Sequence, residues 1–313
     1  MKIHDGTDNF ERLKHAVVTS GTFDGVHVGH QKIIQRLKTT ANNVGGETVV
    51  LTYWPHPRFV LHKDDDSLKL LSTFEEKAKL LADHGIDHLV KIPFTKEFAS
   101  QSSEEFIQNI LIDRIGTKHL VIGYDHRFGK NREGSFEHLV EHKQRYGFEV
   151  EEIPKQEVDE VGVSSTRIRN ALANGEVEIA ANYLGRPHSF AGKVVKGEQI
   201  GRKIGYPTAN IQIPESYKLI PARGVYAAEV KYLDKKYRGM LSIGVRPTVG
   251  NNLSQTLEIH IFDFTQEIYG DWLTVEVCKF LRPEEKLDSL AELKAKIEKD
   301  EKQARKFFNS KKV

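Results

Sequence analysis

Cysteine is nearly missing from this chain: Cys278 stands alone in 313 residues, which excludes an internal disulfide framework and a cysteine-rich zinc site. An excess of one charge is lacking too, since 46 Lys and Arg face 44 Asp and Glu and leave a formal net charge of +2. That balance excludes a surface built chiefly for nucleic acid or anionic lipid, so neither a nucleic-acid nor a membrane partner is expected. Long hydrophobic runs are also missing. The longest, near 49–53 and 119–124, have the length of strands and fall far short of a membrane span. The first fourteen residues are polar and carry acids, unlike a secretory signal. Small-molecule chemistry in a soluble, cytoplasmic protein is the expectation that remains. The length suits two domains of roughly 150 residues each.

The two halves differ in rhythm. Up to about residue 185, short apolar runs at 16–21, 47–53, 88–93, 119–124 and 148–153 alternate with helical spacing, as at 30–41 and 102–115. Strands separated by helix-length segments predict a doubly wound parallel α/β sheet. From about residue 186, period-2 runs at 190–197, 224–234, 235–245, 257–264 and 271–281 are broken by turn residues. They predict an antiparallel barrel or sandwich. The Gly and Pro residues near 175–190 read as a connector. From Glu284 onward a helix is expected, with Leu287, Leu290, Leu293 and Ile297 as its apolar stripe against the barrel.

The first chemical constellation runs from Val17 to His30, where a strand should end and a helix begin. Gly21, Gly25 and Gly29 let a phosphate approach the backbone, and a helix N-terminus favours negative charge. His27 and His30 then offer donors to an anion, in a transfer where positioning and charge stabilisation dominate. The residues alone also allow a plainer reading, in which one histidine caps the helix and the other lies on the surface. Val163 to Arg169 opens another helix with Ser164, Ser165 and Thr166 at the cap. Arg167 and Arg169 sit in its first turn, where cations oppose the helix dipole unless an anion is bound.

The first stretch resembles the HxGH signature of the nucleotidyltransferase superfamily, and the second resembles that superfamily's other phosphate-gripping segment. The resemblance implies a Rossmann-like fold in which His27, His30, Ser165, Thr166 and Arg169 hold a triphosphate and serve catalysis. It implies ATP contacts from Gly21, Phe23, Asp24, Gly25, Gly29 and Ser164. Two loops expected at the same sheet edge, 53–57 and 123–129, resemble the flavin-binding loops of bacterial FAD synthetases. They imply flavin contacts from Pro55, His56, Pro57, Asp125, Arg127 and Phe128, with His126 standing where that family has Phe.

The second constellation opens with glycines at 192, 197, 201 and 205, interleaved with Lys196, Arg202 and Lys203. Exposed backbone amides and nearby cations make a nucleotide cradle, although a glycine-rich hairpin with solvated lysines has the same composition. Pro207-Thr208-Ala209-Asn210 follows. If extended, it puts Thr208 and Asn210 on one face, where two neutral oxygens suit a hard cation. In the run 257–264, Leu257, Ile259 and Ile261 alternate with Glu258, His260, Phe262 and Phe264. A carboxylate among aromatic rings is a candidate general base.

This part resembles the riboflavin kinase family: the GxxxGxxxGxPTAN segment, the glutamate of the ExHxFDF strand, the Gly244–Thr248 stretch and the entry segment at 183–187. His188 stands where that family has an aromatic residue. The resemblance implies that Gly197, Gly201, Arg202, Gly205 and Pro207 contact ATP, that Thr208 and Asn210 hold Mg²⁺, and that Glu258 is the catalytic base. Together the two resemblances match bifunctional bacterial riboflavin kinase/FAD synthetases. They imply an adenylyltransferase domain at 1–183 and a kinase domain at 184–313, with ATP, riboflavin and FMN as substrates and FAD as a product. Two alternatives stay open on the residues: an HxGH transferase for another acceptor with a binding-only barrel, and a flavin sensor without catalysis.

Overall fold

The apolar runs of the first half become strands of one sheet in the computed structural model, which describes residues 1–63, 67–124, 127–130, 133–154, 162–247, 253–285 and 289–310. They are β1 (Lys2–Asp5), β2 (Ala16–Gly21), β3 (Glu47–Trp54), β4 (His88–Pro93), β5 (Thr117–Gly123) and β6 (Glu149–Ile153). All pair in parallel, in the order β1-β4-β3-β2-β5-β6. Alternation splits their side chains between two cores, as the period of a strand requires. Val17, Val50, Leu89 and Val121 pack with Ile34, Leu37, Ala78 and Leu81 on one face. Val18, Leu51, Val90 and Ile122 pack with Phe106, Ile107, Leu111 and Leu139 on the other. The order runs outward from β2 in both directions, so the crevice for a ligand lies past the carboxyl ends of β2 and β5. The expected doubly wound sheet is therefore present.

Two features of this unit escaped the sequence pattern. β1 is a polar edge strand fixed by backbone bonds such as Lys2 N–H to the Asp87 carbonyl at 2.7 Å, which side-chain periodicity does not record. The expected helix at 102–115 exists, but its Phe106–Ile115 portion is π-helical, a wider winding that apolar spacing does not distinguish.

By internal packing the chain divides into Met1–Ser165 and Thr166–Val313. The second unit contains a closed antiparallel barrel, ordered β10-β11-β8-β7-β12-β9. Its strands are β7 (His188–Val195), β8 (Ala209–Gln212), β9 (Gly224–Tyr232), β10 (Lys235–Pro247), β11 (Leu253–Ile261) and β12 (Trp272–Arg282). Phe190, Val230, Leu241, Ile243, Ile259, Val275 and Val277 are fully buried by their alternation.

Two expectations need correction. The segment read as a connector contains the helix Val177–Leu184, which buries Val177, Ala180 and Leu184 and ends at Gly185 with φ +72°. Those three residues share one helical face, a pattern overshadowed by the flanking Gly and Pro. The terminal helix begins at Leu290 rather than Glu284, and Ser289 Oγ accepts the Glu292 N–H at 3.2 Å. Leu290 is exposed and Leu287 lies outside the described residues. The docked face comes later, where Ala304 and Phe308 join Ala227, Met240, Phe262 and Cys278, with Ile297 at the margin.

His188, at the head of β7, is buried, and its Nε2 donates to the Leu219 carbonyl at 3.0 Å. Burial, followed by the nearby Lys218 cation, holds its pKa well below the usual value, against the opposing pull of the Leu219 bond. The unfolded chain therefore binds a proton that the folded chain refuses once pH falls below about 6.5. Stability is full above that pH and declines below it. Urea midpoints measured at pH 7.5 and 5.5 should fall less for His188→Phe than for the wild type; equal falls would clear His188 of the effect.

Candidate functional site

Past the end of β2 the chain turns tightly through Phe23 (φ +48°), Gly25 (φ +77°) and Val26 (φ +40°). A β-branched residue in the left-handed region is strained, and such strain persists where the surroundings enforce it. They do so here. The Asp24 carboxylate accepts the Leu71 and Ser72 N–H groups at 3.1 Å each, Ser72 Oγ accepts the Gly25 N–H at 3.1 Å, and Gln31 Nε2 donates to the Val26 carbonyl at 2.9 Å.

The helix Val28–Val44 then starts, with His27 as its cap: Nδ1 accepts the His30 N–H at 3.3 Å. The two imidazoles stack with centroids 3.6 Å apart and planes 14° from parallel. A side chain at Gly29 would meet Val163 at 3.1 Å and the His27 ring at 3.3 Å, so glycine permits this packing. His30 Nδ1 is buried without a hydrogen-bond partner among the described residues. Burial, then His27, then Lys77 push the His30 pKa well below its ordinary value. His30 is thus a neutral ring that an adjacent anion would help to protonate. His27 therefore takes the capping role that the plainer reading allowed, while His30 lies half-buried against it rather than on the open surface.

Ser165 joins the same loop, its Oγ donating to the Asp24 carbonyl at 3.2 Å. Ser164 is exposed just before it. Thr166 and Arg169 continue the helix Ser165–Ala173 in the second unit, Thr166 exposed and Arg169 half-buried. Asp24, Gly21, Phe23 and Gly25 form the turn itself. Phe23 lies against His30 with centroids 4.9 Å apart.

Lys77 was not singled out by sequence reasoning. It is only 3% exposed, and its Nζ donates to the Thr22 carbonyl at 3.0 Å and to Thr52 Oγ1 at 2.8 Å, tying the ends of β2 and β3 together. The ammonium also lies 5.2 Å from the Trp54 ring centroid. Burial lowers its pKa to about 8, although Asp24 pulls the other way. A signal was available: in the helix Phe74–Asp83, Lys77 falls on the buried stripe with Ala78 and Leu81.

The residues expected to line a flavin slot differ in exposure. Pro55 is exposed after a cis Trp54–Pro55 bond, and His56 Nδ1 caps the helix Pro57–Leu61 by accepting the Arg58 N–H at 3.2 Å. Arg127 is exposed. Phe128 is buried against Phe106 with centroids 5.6 Å apart, inside the core rather than at its surface. Asp125 and His126 lie outside the described residues. Beside β3, Tyr53, Phe94 and Phe98 form a ring cluster with centroids 5.7–5.9 Å apart, to which Phe94 and Phe98 come from outside the quoted motifs.

In the second unit, β8 begins at Ala209, so Asn210 lies in an extended strand and Thr208 directly precedes it. Thr208 Oγ1 donates to Glu258 Oε2 at 3.1 Å, and Asn210 stands opposite Glu258 across the β8–β11 pair. The glycine ladder runs from β7 into the connection to β8, its antiparallel neighbour. It contains the short helix Ile200–Lys203 between Gln199 (φ +57°) and Gly205 (φ +89°). A Cβ at Gly197 would fall 2.2 Å from the Asn210 amide, and one at Gly201 would fall 2.2 Å from the Tyr206 carbonyl oxygen, so both glycines are close-approach positions. Arg202, Pro207 and Thr208 border a cavity of about 320 Å³ with Ile259, Phe264 and Tyr269. Glu258 lies on the opposite side of its strand, so Thr208 is shared between the cavity and the carboxylate.

Among the described residues, no three His, Cys, Asp or Glu form a metal-ligating group. The Thr208 hydroxyl, whose proton is committed to Glu258, the Asn210 amide and the carboxylate itself offer oxygens only. That donor set suits a hard cation such as Mg²⁺, which keeps most of its shell for water and phosphate.

Comparison with known proteins agrees across the whole length. A family model described as FAD synthetase matches residues 9–167, and one described as riboflavin kinase matches residues 184–308. A bifunctional riboflavin kinase/FMN adenylyltransferase of Listeria monocytogenes is 39% identical over 93% of this chain and 92% of its own length. The similarly described proteins of Haemophilus influenzae and Escherichia coli K12 are 38% and 37% identical, over 99% and 98% of this chain and 100% and 98% of theirs. A crystal structure described as a macrolide-efflux protein from Streptococcus pneumoniae is 33% identical and superposes with a TM-score of 0.88, covering 97% of this chain and 98% of that one. Its description implies transport, yet no described helix here is long and apolar enough to cross a membrane.

Proposed function

Because the chain belongs to the bifunctional riboflavin kinase/FMN adenylyltransferase family, we propose that its barrel, in 184–313, phosphorylates riboflavin and that the sheet, in 1–183, adenylylates the resulting FMN. The hydrogen bond between Thr208 and Glu258 is the observation that carries the reading, since it joins the proposed base to the proposed metal ligand. In the first reaction Glu258 takes the proton of the terminal ribityl hydroxyl as its oxygen attacks the γ-phosphorus of ATP. The β–γ bridging P–O bond breaks, and ADP leaves with its electron pair. Gly197, Gly201, Gly205, Arg202 and Pro207 cradle the nucleotide. Thr208 and Asn210 would hold Mg²⁺, which neutralises phosphate charge when bound.

In the second reaction a phosphate oxygen of FMN attacks the α-phosphorus of another ATP, and pyrophosphate leaves. His27 and His30 donate hydrogen bonds to the polyphosphate, and the phosphate charge in turn stabilises the His30 imidazolium. Ser165 adds a hydroxyl beside the turn. Thr166 and Arg169 are assigned from the family motif to the same polyphosphate. The exposed Pro55 and the His56 cap face the flavin side of the sheet. Phe128, buried against Phe106, would act from within the core rather than by direct contact. Cys278 is buried and outside any disulfide, and both reactions draw on ATP, which fits an enzyme of the cytoplasm.

Purified chain incubated with riboflavin, ATP and Mg²⁺ should yield FMN and then FAD by chromatography, and chelation of the metal should stop both steps. Absence of any flavin product would overturn the reading. A yellow complex that forms without ATP turnover would instead favour a flavin sensor.

A further inference from the structure

Thr208 has little support from the barrel's own hydrogen bonding. β8 begins one residue after it, and the β8–β11 pairing consists of Asn210 with Glu258 and Ala209 with Ile259. Side chains hold the residues before the strand. His260 Nδ1 donates to the Pro207 carbonyl at 2.8 Å, and the Tyr206 hydroxyl donates to Glu301 Oε2 at 3.0 Å. Glu301 belongs to the helix Leu290–Ser310, where its Oε1 accepts Arg305 Nε at 2.8 Å. The guanidinium of Arg305 then forks onto both carboxylate oxygens of Asp263 at 3.1 Å each and lies 4.4 Å from the Phe262 ring centroid. Asp263 follows the end of β11, the strand of Glu258, and is held at φ +55°. One helix therefore grips the chain just before Thr208 and just after the Glu258 strand.

We propose that Tyr206, Glu301, Arg305 and Asp263 form a latch through which the C-terminal helix positions Thr208 against Glu258 for phosphoryl transfer. The latch rests on the kinase reading given above, and its members are positioning residues that act through Thr208. They are not what docks the helix. The Asp263 side chain is 78% exposed, and exposed ion pairs add little to stability. Docking comes from Ala304 and Phe308 in the core and from Asp300, buried, which accepts Arg282 Nε at 3.0 Å. The latch can thus be cut without releasing the helix. A contact that places a ligand of bound ATP acts in both the ground state and the transition state, so its loss moves KM more than kcat.

The full-length chain provides its own control, because FMN adenylylation is assigned to the other unit. Tyr206→Phe and Glu301→Ala should each raise KM for ATP in riboflavin phosphorylation by about fivefold or more, with kcat changed by less than about twofold. FMN adenylylation should stay at the wild-type rate. Glu301→Gln, whose single oxygen can keep the tyrosine bond only by giving up the bond from Arg305, should raise KM by less than Glu301→Ala does. The double variant Tyr206→Phe/Glu301→Ala should be no worse than the worse single change, because both cut one link. An unchanged KM in both single variants, or effects that multiply in the double, would overturn the latch. If Glu301→Ala loses adenylylation as well, the fold has been damaged, and Tyr206→Phe, which keeps the ring, decides alone. A wild type that makes no FMN overturns the kinase reading instead.

Discussion

Glu258→Ala lowers riboflavin phosphorylation by about a thousandfold, within the range that a positioned general base contributes, and leaves FMN-to-FAD conversion nearly intact. The geometry sets both halves of this expectation. Glu258 is the acid that Thr208 touches, so its removal takes away both the proposed proton acceptor and the partner that orients the threonine hydroxyl. Cross-strand pairing with Ser242 and Asn210 keeps the backbone in register whatever the side chain, so the barrel survives the change. Glu258→Gln separates the two effects: it keeps an oxygen for the threonine but accepts no proton at neutral pH, and it should be nearly as inactive. Turnover of riboflavin and of FMN, measured separately on each variant, checks the assignment. Equal loss of both activities in a folded variant would refute two separate sites.

His30→Ala should do the reverse, with adenylylation falling by about a hundredfold or more, the scale of one lost donor to a developing oxyanion. Riboflavin phosphorylation should persist. His30 suits this test better than His27. The His27 ring also accepts the His30 N–H at the head of a helix, and loss of a cap typically costs about 1 kcal/mol. His27→Asn should keep the cap, since Asn is a strong N-cap residue, while removing the imidazole. It should therefore lose adenylylation without the drop in melting temperature that His27→Ala incurs. Thermal unfolding beside the FMN assay distinguishes the two roles, and equal melting temperatures for the two variants would deny the cap any weight.

The fold was legible wherever a buried face repeats with a strand's period. Val17-Val18 and Val49-Val50-Leu51 announce central strands because they must satisfy two cores at once. The polar Lys2–Asp5 strand announces nothing, because backbone bonds and polar contacts, such as His4 to His88 and Lys91 to Asp5 at 3.0 Å each, hold it in place of an apolar face. Motifs made of local turns were legible too: the glycine at 29 and the histidines around it carry their geometry in their spacing. Residues that act through tertiary contact were not. Lys77 reads as a surface lysine until Thr22 and Thr52 are seen to enclose it, and Glu301 reads as one charge among many until Tyr206 is seen to reach it. Phe128 shows the converse, a residue read as lining a loop surface whose ring turns into the core.

The sheet and the barrel also differ in how they face other chains. The barrel closes on itself, whereas the sheet ends in two strands, β1 and β6, each paired on one side only among the described residues. Unpaired strand edges invite further strands, and aggregation begins with such additions. Here one edge carries Lys2 and Asp5 and the other carries Glu149 and Glu152. An incoming strand would have to strip water from those charges, and two β6 edges brought together would set acid against acid. The polarity that hid β1 from the hydrophobic pattern thus keeps a crowded solution of this protein from knitting its sheets together.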